Sequence, residues 1–390
     1  MRTVAVLGAS LAGLSAARAL RAQGYDGRLV VIGAEQHAPY DRPPLSREFL
    51  LGTVTSGDIA LGRPEDDGLA LEWRLGRRAS QLDRSARTVT LESGEEIRAD
   101  GVVLAVGARA RSLPGTARLA GVHTLRTLDD AVALRHELRR GGRLVVVGAG
   151  FIGAEVASTA RALGVEVTVL EAVPIPLAGP LGVEMGRVCA QLHGDHGARL
   201  VTGIGVAGLV GTDRVRAVRL ADDRLLPADL VVVGVGARPD VDWLAGSGLA
   251  IDGGVVTDAA CATNLRGVVA VGDCAVSPDP DGALCRVEHW TNALERASTA
   301  AATLLAGERG GPAHSAVPYF WSEQYGVRLQ FAGHRRDGDT VRVIEGDPDA
   351  RCFVAVYERD GEQVAVLGMN SPKLFTRLRR QLGAARPAAA

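Results

Sequence analysis

The stretch RLVVVGAGFIGAEVASTARALGVEVTVLE, Arg143 to Glu171, decides the fold. It opens as a β-branched apolar run, turns through Gly148-x-Gly150-x-x-Gly153, continues as a small-residue helical segment closed by Gly164, and ends in a second apolar run finishing at Glu171. Each part has a physical reason. Near-continuous apolar runs suit strands buried on both faces of a parallel sheet, and glycine just past a helix is a common stop. Glycines in the turn let the backbone approach a pyrophosphate, the helix N-terminus offers it unpaired N–H groups, and the terminal acid accepts from ribose hydroxyls. The order strand, glycine turn, helix, strand, acid is that of a βαβ dinucleotide-binding unit.

The unit occurs twice. Val4 to Glu35 reads VAVLGASLAG, an Ala-rich helical stretch closed by Gly24, then RLVVIGAE, with Gly8 and Gly13 in the turn and Ser10 where a middle glycine is expected. Of Ala34 and Glu35, only Glu35 can serve the ribose. A second pair of echoes, VVLAVGARARSLPG (Val102–Gly115) and LVVVGVGARPDVD (Leu230–Asp242), reads as two crossings between domains. The predicted fold is therefore α/β, with two Rossmann-like domains nested one in the other: residues 1–109 and 238–308 form the first, 110–237 the second. A Gly/Pro-rich stretch, Gly307–Pro318, marks the next boundary. Beyond it, 312–390 changes texture: VRLQFAG, TVRVIEG and CFVAVYERDGEQVAVLGM alternate as three or four antiparallel strands, with a hairpin at Asp360-Gly361. Ser371-Pro372 starts a helix running to about Leu382, and the AARPAAA tail is expected to fray.

Composition narrows the function class. With 390 residues, 47% apolar and 23% charged content and a formal net charge of -1, the chain reads as a multidomain globular protein with nothing to recruit nucleic acid or a membrane surface. No uncharged apolar run approaches the length of about 18 residues that a membrane helix needs. Val4–Ala17 has the apolar length of a signal-peptide core, but the strand–glycine–helix order explains it better. The five cysteines, at 189, 261, 274, 285 and 352, are too far apart for a zinc ribbon or CxxC pair, so no metal site can be written and a reduced, cytoplasmic chain is expected.

Two dinucleotides in one chain imply a relay from nicotinamide to flavin, since hydride passes directly between the two rings. The second unit, with Gly148, Gly150, Ile152, Gly153 and Glu171, supplemented by Gly236 at the crossing, is the NAD site. The Glu171 carboxylate would repel a 2′-phosphate, and no arginine follows before Arg187 to rescue one, so NADH should be preferred over NADPH by tenfold or more. Disulfide reductases of this architecture carry CxxxxC after the second strand of the first unit. Here that stretch is PYDRPPLSREFL, Pro39–Leu50, without cysteine, which excludes a dithiol relay.

The blocks PYDRPPLS, LRTLDDA, AVGDCA, EHWTNA and PYFWSEQ, in this order, make the whole chain resemble the FAD-dependent NADH:ferredoxin reductases that serve oxygenases. The resemblance implies a glutathione-reductase-like pair of domains with a C-terminal α+β interface domain. It also implies FAD contacts from Gly8, Ser10, Ala12 and Gly13 in the first turn, Glu35 on ribose, and Arg42, Arg47, Ala79, Arg126, Asp273 and Trp290. The implied partner is a [2Fe-2S] ferredoxin feeding a cytochrome P450 or Rieske oxygenase. The family usually has lysine where this chain has Arg47, and Arg47 and Glu155 are the implied flavin-proximal pair, with no acid–base role required. Simpler readings stand beside these: Glu155 as a first-turn acid of its own helix, Asp273 as an N-cap, Trp290 as core, and Arg42 and Arg126 as surface residues. An acidic ferredoxin calls for a basic patch, for which Arg77-Arg78, His334-Arg335-Arg336 and the Lys373, Arg377, Arg380 helix face are candidates. Rivals to the ferredoxin reading are a rubredoxin reductase, an NADH oxidase, and an NADH-sensing flavoprotein of the apoptosis-inducing-factor type.

Overall fold

The computed structural model describes residues 1–114, 119–279, 281–307 and 310–384. All but the first residue of the AARPAAA tail therefore lie outside the described residues. The chain opens as expected: β1 (Thr3–Leu7), α1 (Leu11–Ala22) and β2 (Arg28–Ile32), followed by β3 (Leu71–Arg74) and β4 (Gly101–Leu104). The second unit follows with α2 (Leu128–Leu138), β5 (Arg143–Val147), α3 (Phe151–Ala162), β6 (Glu166–Glu171), α4 (Ala178–Asp195), β7 (Arg199–Thr202) and β8 (Leu230–Val233). The first unit then resumes with β9 (Val268–Ala270) and α5 (Trp290–Ala306).

Both large sheets are parallel, in the orders β9-β4-β1-β2-β3 and β7-β6-β5-β8 with Val122–His123 beyond β8. Their strands read as apolar runs because both faces are covered: helices bury Val4, Val6, Val146 and Val169 on one side, and on the other a small antiparallel sheet packs against each, Leu82, Val89 and Leu91 on the first and Val215, Val218 and Leu220 on the second. The two Gly-Ala-Arg echoes lie side by side, Ala108–Ala110 pairing antiparallel with Ala237–Pro239. The chain thus leaves and re-enters the first unit at one place. The halves also share a core: Tyr40, Leu45, Phe49, Leu50 and Ile59 pack among Leu134, Val146, Val156 and Val232.

The C-terminal sheet has five antiparallel strands, β10 (Tyr319–Gln324), β11 (Val327–Gly333), β12 (Thr340–Asp347), β13 (Cys352–Arg359) and β14 (Glu362–Met369), closed by α6 (Pro372–Ala384). Five strands form where alternation predicted three or four, because YFWSEQ, mostly aromatic and polar, also pairs, bonding to β11 through all six residues. One face of this sheet buries α4 through Leu181, Met185, Cys189 and Leu192 against Phe331, Phe353 and Leu367. The α4 backbone breaks at Gly182, and the buried Tyr357 hydroxyl donates to the Leu181 carbonyl at 2.7 Å. Tyr357→Phe strips that carbonyl of its side-chain donor and is expected to cost about 1–2 kcal/mol. A lower denaturation midpoint at unchanged m-value would show it. Among the described residues, no helix is long and apolar enough to cross a membrane.

Candidate functional site

A cavity of about 680 Å³ opens where β1, β2, β4, β8 and β9 end. Carboxyl ends of parallel strands are the usual ligand crevice of such sheets. Of the residues expected from sequence, Gly8, Ser10, Ala12, Glu35, Arg42, Arg47, Asp273 and Trp290 line it from the first unit, and Arg126, Gly150, Ile152, Gly153, Glu155 and Gly236 from the second. Four do not. Gly13 is buried inside α1, where a Cβ would lie 1.8 Å from the Gly8 carbonyl oxygen. Ala79 is buried at the start of a strand and faces a smaller adjoining recess with Arg77, Arg78 and Asp240. Gly148 shapes its turn from beneath, and Glu171 lies beyond the cavity wall, bound to the backbone.

The two turns are built alike. Gly8 and Gly148 adopt φ of +118° and +103°, and an added Cβ would meet a carbonyl oxygen at 2.0 Å or 2.3 Å, so both positions need glycine. The middle position does not: Gly150 has φ −72°, and a Cβ there would meet nothing within 4 Å. That explains Ser10, which sits at φ −118° and whose hydroxyl accepts from Arg42 Nε at 3.3 Å. Neither α1 nor α3 has a side-chain cap or an acid in its first turn, so their N-terminal N–H groups and partial positive charge are left for a ligand.

Around the first turn the polar side chains form a network. Glu35 accepts from Arg42 Nη2 at 2.8 Å and from the Tyr40 hydroxyl at 2.5 Å, while Arg42 also donates to the Arg126 carbonyl at 2.6 Å. Burial pushes the Tyr40 hydroxyl far up, so it stays a donor to Glu35. Arg126 Nη2 donates to Asp273 at 2.6 Å, tying a carboxylate from the AVGDCA block across the cavity rather than leaving it as an N-cap. Trp290 Nε1 donates to Asp41 at 2.7 Å, and its ring meets Trp321 edge-on, so it is a half-buried wall rather than core. Burial raises the Asp41 carboxyl, against the opposing pull of that indole N–H.

The second flavin-proximal candidate, Glu155, is 6% exposed. Its carboxylate accepts from Ser46 Oγ at 2.5 Å, from Ser322 Oγ at 2.7 Å and from the Glu323 N–H at 3.1 Å. Burial pushes its carboxyl up, opposed by the Ser46 hydroxyl and the Arg47 charge. Arg47 does not reach Glu155 as an ion pair; its guanidinium faces Glu48 at 3.4 Å and Glu323 at 3.5 Å. Tyr40, Asp41, Ser46, His289, Phe320, Trp321 and Ser322 were missed as site residues although most lie inside the quoted blocks. Their signal was adjacency to a named residue, which does not say which side chain points inward.

Do these residues suit the dinucleotides that two such turns imply? Arg126 Nε and His289 Nδ1 are buried without a hydrogen-bond partner in the protein, both residues line the cavity, and burial holds the His289 imidazole down at about 4 and hence neutral. Donors left open beside two uncapped helix starts fit a large anionic, hydrogen-bonding ligand. No cysteine lines the cavity.

Residues 2–297 match the pyridine nucleotide-disulphide oxidoreductase family, and residues 319–390 match the family described as reductase C-terminal. The chain belongs to the pyridine nucleotide-disulphide oxidoreductases. It is 38% identical over 374 residues to the chlorobenzene dioxygenase ferredoxin reductase component of Cupriavidus sp. strain PS12, covering 95% of this chain and 90% of that one. It is 39% identical over 383 residues to the biphenyl dioxygenase system ferredoxin–NAD(+) reductase component of Paraburkholderia xenovorans, covering 98% and 93%. Among solved structures, putidaredoxin reductase in its covalent complex with putidaredoxin superposes with a TM-score of 0.92 at 31% identity, covering 98% and 93% of the two chains. A ferredoxin reductase from Rhodopseudomonas palustris gives 0.94 at 34%, covering 99% and 95%. As a member of this family the chain is an oxidoreductase of FAD and NAD(H), and the expected two-domain fold with a C-terminal domain holds.

Proposed function

We propose that this chain is the NADH-oxidising reductase of an oxygenase system, passing electrons singly to a [2Fe-2S] ferredoxin that feeds a cytochrome P450 or Rieske oxygenase. The observation that carries the reading is the cysteine-free cavity onto which both glycine turns open. FAD held there would supply the two-to-one conversion between a hydride donor and a single-electron acceptor, which a nicotinamide alone cannot do. The relatives named as ferredoxin reductases of dioxygenase systems support the choice of acceptor.

In this reading the first turn and the start of α1 hold the FAD pyrophosphate, Glu35 accepts from its ribose, and the Arg126–Asp273 pair and Trp290 close over the rest. Arg47 would supply positive charge to the flavin site, and Glu155 a carboxylate. The second turn and the start of α3 hold the NADH pyrophosphate. Glu171 stays aligned for the adenosine ribose because its two oxygens accept from Ala149 N at 2.9 Å and Val173 N at 3.1 Å. We take the domain limits as 1–109 with 238–308, 110–237 and 312–390. We assign the chain to the cytoplasm, since all five cysteines are free and three of them are buried.

For docking, α6 is favoured over the other basic candidates. Arg336 pairs with Asp279 and with Asp281 at 2.6 Å, Arg335 pairs with Asp337 at 3.0 Å, and Arg78 with Asp240 at 2.8 Å, whereas Lys373, Arg377 and Arg380 are exposed and carry no ion pair among the described residues. The test is NADH-driven turnover with a panel of [2Fe-2S] ferredoxins, rubredoxins and dioxygen. A [2Fe-2S] ferredoxin should outpace dioxygen by at least about tenfold, a barrier difference near 1.4 kcal/mol. If rubredoxin or dioxygen outruns every ferredoxin, the reading fails.

A further inference from the structure

The C-terminal domain reaches into the site through four consecutive residues at the start of its sheet. Phe320 and Trp321 line the cavity, with the Trp321 ring against Trp290. Ser322, with no exposure, and the Glu323 N–H both donate to Glu155, and the Glu323 carboxylate faces Arg47. From the opposite side Ser46, 2% exposed, donates to the other oxygen of Glu155, while the Ser46 carbonyl accepts from Thr159 Oγ1 at 2.8 Å, one helical turn along α3. One carboxylate on α3 is therefore gripped by two segments distant from it in sequence, the PPLS turn and β10.

A carboxylate with this little exposure is costly to ionise unless donors surround it. The three donors here account for both its oxygens. Gln324 Nε2, itself 3% exposed, donates to Ser322 Oγ at 3.1 Å and fixes the direction in which that hydroxyl gives its own proton. On the other side, Arg47 is held between Glu48 and Glu323, with Arg328 sharing Glu323 at 3.6 Å. Removing the C-terminal strand would leave Glu155 with Ser46 alone and Arg47 with Glu48 alone.

We infer that Ser46, Ser322 and Glu323 are positioning residues for the redox centre: the serines hold the charge and orientation of Glu155, and Glu323 holds and partly neutralises Arg47, so that the C-terminal domain sets how readily the bound flavin accepts a hydride. The inference rests on the FAD and NADH reading above. It concerns the ease of flavin reduction, not the acceptor, and none of the three residues need touch the reacting atoms.

The experiment uses the FAD-loaded full chain and equilibration of its flavin with a reference dye, so that no ferredoxin enters. Glu323→Gln removes a negative charge from beside Arg47 and should favour the reduced, anionic form, raising the reduced-to-oxidised ratio at fixed potential by about threefold or more, roughly 14 mV for a two-electron couple. Ser322→Ala should change the ratio by a similar factor in the natural protein and leave it unchanged in a Glu155→Gln background, because the serine acts only through that carboxylate. An unchanged or lowered ratio in Glu323→Gln overturns the inference. So does a Ser322→Ala effect that persists undiminished in the Glu155→Gln background. Glu323 has a side chain 37% exposed, so Glu323→Gln should fold even where Ser322→Ala does not, and it then decides alone. Failure of the functional reading looks different: the natural protein itself would not hold FAD or would not be bleached by NADH.

Discussion

Gly8→Ala is expected to purify without bound FAD and with greatly reduced stability. The added methyl would lie 2.0 Å from the Ala105 carbonyl oxygen and 3.0 Å from the Val106 nitrogen, and the backbone there has φ +118°. Neither neighbour is a flexible side-chain end that can swing away. Overpacking costs about 1–3 kcal/mol, and holding a residue with a Cβ in such a conformation about 1–3 kcal/mol more. Their sum is a large share of a typical stability of about 5–15 kcal/mol. Relief requires the β1–α1 turn to move off β4, which pulls the open N–H groups of α1 away from the cavity. Gly150→Ala is the matched control, since a methyl there meets nothing within 4 Å, and it should keep FAD and fold normally. The ratio of flavin to protein absorbance, with a melting curve, measures both. A fully flavinylated Gly8→Ala protein would contradict the packing argument.

Glu171→Gln is expected to cut the preference for NADH over NADPH by about tenfold or more. In the natural chain the carboxylate ends β6 and is pinned by Ala149 N and Val173 N, so it cannot rotate away from an approaching ligand. Like charges about 4 Å apart at an effective dielectric near 20 repel by about 4 kcal/mol. Glu171 is only half-buried, so solvent screens much of this, and tenfold, about 1.4 kcal/mol, is the floor. The amide keeps an acceptor for one of the two backbone donors and removes the charge. Comparing kcat/KM for the two coenzymes in anaerobic flavin reduction reads the change. An unaltered ratio would mean that selection lies elsewhere on the chain.

The nested fold was legible because its signals are local and redundant. Each βαβ unit carries an apolar run, a glycine turn and a terminal acid within about thirty residues, and both parallel sheets follow from them. The glycine turns were legible for the same reason, and the structure adds why Ser10 is tolerated: the middle position needs neither positive φ nor empty space. Less legible was everything that depends on distant strands meeting. Nothing in WSEQ indicates that Ser322 lies against Glu155, 167 positions away, or that Arg47 faces Glu323. The same limit hid the first strand of the C-terminal sheet, whose residues pack partly against α3 and α5 instead of alternating cleanly between core and solvent. It also applies to the basic patches, where a run such as His334-Arg335-Arg336 looks cationic until Asp279 and Asp281 from another domain neutralise it.

Electron counting tests the core claim directly. The sealed protein, carrying its yellow chromophore, is titrated with dithionite under argon while its absorbance is followed. With flavin as the sole redox group, bleaching and total uptake should both finish at two electrons per chain. Uptake of four would reveal a disulfide storing the second pair, and an absence of any flavin spectrum would remove the chromophore altogether; either contradicts a chain that moves hydride from NADH to FAD with no sulfur in between.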